Sequence, residues 1–90
     1  MAERTQPEHV LRWQTVVNEH WPPAPVSIKD RDRAIPVRAR IVWERDGEEY
    51  RDGLAKRWDG EHVYVEIIDV RLRSNGVWLK PGDVYRRSPA

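Results

Sequence analysis

The chain has 90 residues, no cysteine, and 16 basic against 15 acidic side chains for a formal net charge of +1. That length permits one domain burying only about 60% of its unfolded surface, and the lack of cysteine excludes disulfides and thiolate metal sites, the usual staples of so small a core. No apolar run approaches roughly 18 residues and no apolar leader opens the chain, so a soluble cytoplasmic protein without a membrane partner is expected.

Met1 to Thr5 is expected to fray, and from Gln6 to Glu19 the pattern predicts an amphipathic helix. Thr5 caps it, Pro7 fits its first turn, and Glu8 suits the N-terminal dipole. Val10, Trp13, Val17 and Trp21 recur at i, i+3, i+7 and i+11 as a single stripe. If that stripe does not pack on its own domain, it offers a seam for a homodimer. A short strand through Gln14–Val17 competes with the helix, because Thr15, Val16 and Val17 are β-branched. The run Trp21-Pro22-Pro23-Ala24-Pro25 ends this element, and its prolines impose an extended strap. Residues 1–25 thus read as helix and strap, and residues 26–35 as a charged connector. Within that connector Lys29-Asp30-Arg31-Asp32-Arg33 alternates in sign like a solvated loop.

From 36 to 87 the pattern turns to short β-runs separated by turn dipeptides, and residues 88–90 form a loose tail. Val37, Ala39, Ile41 and Trp43 alternate with Arg38, Arg40, Val42 and Glu44, a period of two that places the first set inward. Asp46-Gly47 closes the first turn. The second run, Glu49 to Arg57, is interrupted by Asp52-Gly53, read as a bulge that bends the strand or as part of a longer hairpin loop. Asp59-Gly60 is the cleanest hairpin signal. It leads into a third run, His62 to Ile68, with Val63, Val65 and Ile67 inward. Residues 69–76 read as a basic loop, Val77-Trp78-Leu79 as a fourth strand, Pro81-Gly82-Asp83 as a tight turn, and Val84-Tyr85-Arg86 as a fifth strand. These elements predict a mainly β fold, a small five-stranded barrel preceded by the N-terminal helix and the proline-rich connector.

The order of Leu54-Ala55-Lys56-Arg57-Trp58 after Gly53, a hairpin, Val63 through Asp69, Val77-Trp78-Leu79 and Pro81-Gly82-Asp83-Val84 resembles the SH3-like small barrels, the Tudor-like branch most of all. The resemblance spans about residues 36–87. It implies five strongly bent strands with a one-turn helix before the last. It also implies an aromatic cage for methylated lysine or arginine, held by cation–π attraction. The positions that match such a cage are Trp43, Tyr50, Trp58 and Tyr64, with Asp69 as its acidic partner.

Catalytic chemistry is not indicated. His9, His20 and His62 lack a metal-ligand spacing, and 9 and 20 would stand about 16 Å apart on a helix. Ser27 and Ser74 sit in no nucleophile motif, and the five glycines lie in separate turns rather than in a phosphate-cradling loop. The carboxylate pairs Glu48/Glu49 and Asp30/Asp32 either diverge in an extended chain or are interleaved with arginines that lower their pKa values. No metal and no cofactor is expected.

What remains is binding. Five tryptophans, three tyrosines and no phenylalanine are residues at home on surfaces that are half dry and half wet. The first expectation is a protein–protein interaction or regulatory accessory protein gripping its partner with Trp58, Tyr50, Tyr64 and Trp78. The composition suits a bacterial or phage protein of that kind. The alternative is a nucleic-acid-binding barrel. Residues 70–90 concentrate Arg71, Arg73, Lys80, Arg86 and Arg87 against the single acid Asp83, a stripe that Arg38 and Arg40 extend along DNA or RNA phosphates.

Overall fold

The computed structural model describes residues 12–88. Its elements are β1 (Ile35–Trp43), β2 (Gly47–Trp58), β3 (Val63–Glu66), β4 (Gly76–Leu79) and β5 (Val84–Arg86), with one-turn 3-10 helices at Pro25–Ser27 and Pro81–Asp83. The strands form one sheet in the order β4-β3-β2-β1-β5, and every adjacent pair is antiparallel.

The core follows from the period-two pattern. Val37, Ala39, Ile41 and Trp43 are buried along one face of β1, joined by Ala55, Val63, Val65, Ile67, Val77 and Leu79. β2 is long enough to serve two neighbours, pairing with β1 through Gly47–Ala55 and with β3 through Leu54–Trp58. A strand shared in this way must turn a corner. The register shifts between Ala55 and Arg57, so the bulge lies beyond Gly53 and not at it.

Gly53 is needed for a different reason. A Cβ built there would stand 2.6 Å from the Glu66 carbonyl oxygen and 2.8 Å from Ile67 Cγ1. β3 crosses β2 too closely for any side chain. Gly53→Ala is therefore expected to lose about 1–3 kcal/mol through overpacking, read as a lower urea midpoint. Gly60→Ala, with nothing within 4 Å of its Cβ position, is the matched control.

Two expectations are corrected. The predicted N-terminal helix does not continue past Arg12: residues 13–15 have no regular structure, Val16 forms an antiparallel bridge with Trp43, and residues 17–18 form a turn. Its earlier residues, including Val10, lie outside the described range. Val17 and Trp21, half of the supposed stripe, are exposed, and Val16 is buried instead; of the competing strand through Gln14–Val17 only the single bridge at Val16 is realised. The predicted closure into a barrel is also not met, because β4 and β5 stand at opposite ends of the strand order and do not pair.

The same geometry explains both corrections. β5 covers β1 only at Val37–Ala39, which leaves the rest of that β1 edge unpaired by strands. Residues 14–20 take it over: Val17 N–H donates to Val42 O, Glu44 N–H to Thr15 O, and His20 N–H to Trp78 O on β4. The segment is held against the sheet by open backbone groups on both sides, with a turn at residues 17–18 where Glu19 N–H donates to Val16 O, and that outweighs a marginal helix.

Asn18 completes this seam. Its side-chain Nδ2 donates to Arg40 O at 2.8 Å and its Oδ1 accepts from Val42 N–H at 2.9 Å, so the carboxamide stands in for a peptide group of the missing strand. Asn18→Ala strands both backbone partners and is expected to cost about 1–3 kcal/mol. Faster hydrogen exchange at the Val42 amide is the specific readout.

Candidate interaction site

Trp58, at the end of β2, is half-buried beside the start of β1 and the start of β3. Two adjoining clefts, of about 480 and 360 Å³, share Trp58, Ile35 and Arg86 as lining residues. The smaller has an apolar floor that includes Val37, Ala55, Val63 and Val84, where the core opens at one end of the sheet. Arg31 covers the Trp58 ring at 4.8 Å and donates from Nη2 to Trp58 O at 2.7 Å. Its backbone N–H donates to Lys56 O, so the connector is pinned to β2 rather than loosely solvated. Asp59, on the rim, accepts from the Glu61 and His62 amides, both at 2.8 Å, and meets His62 Nδ1 at 3.0 Å. The Glu61 amide first, then His62, holds its carboxyl below the ordinary range. Arg33 and Arg86 line the larger cleft, and neither side chain is among the ion pairs of the described residues.

The expected basic stripe is largely consumed within the fold. Arg71 forks onto Asp69 through Nε at 2.9 Å and Nη2 at 2.8 Å, reaches Glu49 at 2.7 Å and Asp46 at 3.0 Å, and lies 4.0 Å above the Trp43 ring. Arg51 also bonds Asp69. Glu49 and Arg51 stand opposite Ile41 and Ala39 and so face inward, which makes this end of the interior ionic. The Arg71 guanidinium holds Asp69 far below the ordinary carboxyl range, and Asp69 in turn raises Arg71 above its own. Such a guanidinium is unavailable to a phosphate. Arg73 is stacked on Trp13 at 4.5 Å, and Arg87 pairs with Asp52 at 3.7 Å. Lys80 and Arg86 remain exposed without ion-pair partners among the described residues.

The four aromatic candidates do not share a surface. Tyr50 is exposed on the outer sheet face, 6.2 Å from the Tyr85 ring. Tyr64 is half-buried, with Arg57 over its ring at 4.9 Å and Trp78 tilted against it at 5.2 Å. Trp78 is only 2% exposed, so as folded it is packing and not contact surface. The implied cage is not assembled either: Trp43 is buried beneath Arg71, Asp69 is neutralised by two arginines, and none of the four main clefts holds two of the four cage positions.

Sequence reasoning missed Arg33, whose neighbours of alternating sign made it look solvated, and the pairing of His20 with His62. Those rings stack at 4.8 Å and 13°, which joins the N-terminal segment to the β2–β3 hairpin. Among the described residues no group of three His, Cys, Asp or Glu side chains is arranged to hold a metal ion, and no helix is long and apolar enough to cross a membrane. No family model, curated protein or solved structure matches this chain.

Proposed function

We propose that this chain is a non-enzymatic cytoplasmic binding module whose partner is another protein, received at the Trp58 groove. The observation that carries the reading is the half-buried indole set between two adjoining clefts, with an apolar floor below and two arginines lacking ion-pair partners on the rim. A large aromatic beside a desolvated floor, ringed by charge, is the usual anatomy of an interaction anchor. The placement of β1 between β2 and β5, and the one-turn helix before the last strand, support an SH3-like small barrel whose open side is bridged by residues 14–20. Nucleic acid is the weaker reading, because Arg71 and Arg73 are already engaged and the remaining cations do not form a stripe.

The test is capture from nuclease-treated lysate by the wild type, Trp58→Ala and Arg86→Glu, each first shown to keep its thermal midpoint within a few degrees. The expected result is a protein retained by the wild type and lost with both variants. Retention by both variants, or capture that vanishes with nuclease, would count against the reading.

A further inference from the structure

Among the described residues the strand order ends at β5, which has a strand neighbour only on its β1 side. Arg87 N–H donates to Pro36 O, and Tyr85 stands opposite Arg38. Antiparallel ladders alternate, so residues 85 and 87 turn their main-chain groups toward β1 while those of Val84 and Arg86 face the other way. The Val84 N–H is already taken by Pro81 O. The Val84 C=O and the N–H and C=O of Arg86 are left on the free edge, and Val84 and Arg86 both line the smaller cleft. A short row of open backbone groups therefore runs beside the Trp58 groove.

The larger cleft beside that edge carries a basic excess. Arg86 lies opposite Val37, which places its side chain on the inner face at the mouth of the groove, with Arg33 on the same cleft. Asp59, on the smaller cleft, accepts from two amides and meets His62 but keeps its charge, and Asp30 is paired with Arg57 at 2.9 Å. Asp32 is the single lining acid of the larger cleft, against three arginines.

We infer that the free edge of β5 accepts an extended segment of the partner as an added strand, carrying a large apolar side chain and, two residues away, a carboxylate. Residues two apart on a strand point to one face. The apolar side chain enters beside Trp58 and Val63, and the carboxylate meets Arg86 and Arg33. Main-chain bonds supply affinity and the alternate pockets supply selection, as in other edge-strand complexes. This inference rests on the binding-module reading above and adds the conformation and chemistry of the occupant.

The experiment is panning of a random octapeptide display library against the full chain. The enriched peptide is then titrated calorimetrically into the wild type and into Arg33→Glu/Arg86→Glu, both exposed positions whose replacement spares the core. Enriched sequences are expected to place Asp or Glu two positions from a large apolar residue. The double variant is expected to bind about tenfold or more weakly, mostly through slower association. N-methylation of the peptide amides that face β5 is expected to abolish binding. A peptide that binds, is lost with Trp58→Ala, and ignores both the arginines and N-methylation overturns strand addition and leaves the binding reading in place. Failure to enrich any peptide overturns both, and tight, salt-sensitive binding of a twelve-nucleotide oligothymidylate in its stead reassigns the site to nucleic acid.

Discussion

Arg71→Ala is expected to lower stability by about 3 kcal/mol, a drop in thermal midpoint on the order of 10–20 °C. One guanidinium holds three carboxylates and covers the Trp43 ring, so its removal strands charge around Asp69, whose side chain is 5% exposed. The value sits at the low end for a broken buried pair because Glu49 and Asp46 retain 34% and 48% exposure and water screens part of the loss. Arg71→Lys keeps the charge without the planar fork and is expected to recover only part of the deficit.

The pH dependence fixes the sign. Asp69, Glu49 and Asp46 all have carboxyl pKa values below their ordinary ones, with Arg71 the leading cause for the first two and Gln14 followed by Arg71 for the third. Groups depressed in the folded state contribute stability above their unfolded pKa values, near 4, and that contribution fades as the pH falls through the folded values. The gap between wild type and Arg71→Ala is therefore widest at neutral pH and narrows below about pH 4. Thermal melts of both proteins from pH 7 to pH 2.5 check this, and a gap that is constant or widens on acidification would contradict it.

Trp78→Ala is expected to cost about 3–5 kcal/mol, as large truncations of fully packed aromatics do, and in so small a domain that is enough to populate the unfolded state at ambient temperature. Tyr50→Ala, at an exposed outer-face position, is expected to stay within about 0.5 kcal/mol. Equilibrium urea unfolding of the two variants beside the wild type separates them. Both residues look alike as candidate anchors in the sequence, and equal losses would mean that Trp78 does not pack as described.

The β1 strand was legible because its alternation runs four times without interruption, and Val37, Ala39, Ile41 and Trp43 are all buried as that pattern demands. Val63, Val65 and Ile67 were legible for the same reason. β4 was legible as a strand at Val77-Trp78-Leu79 but its burial was not, because all four of its residues are buried and a strand covered on both faces shows no alternation to read. Thus Trp78 passed for a surface aromatic.

Arg71 misled differently: residue type reveals charge but not its partners, and Glu49 and Asp46 stand 22 and 25 positions away, brought near only by the fold. The N-terminal segment offered helix and strand signals of similar weight. What decided between them was the length of β5, whose three residues leave the β1 edge open. Trp58 was visible as a candidate, yet its groove was not, since Arg33 and Arg86 meet across most of the domain.

The most direct test uses the tryptophan indoles, five of them in the chain, as local reporters in a 1H–15N NMR titration with the panned octapeptide. The account predicts a large, saturable shift of the Trp58 indole N–H, while those of Trp43 and Trp78, buried in the core, stay in place. Saturation with the Trp58 signal unmoved, and the shifts instead at Tyr64 and Tyr50 or along Lys80 and Arg87, would contradict it.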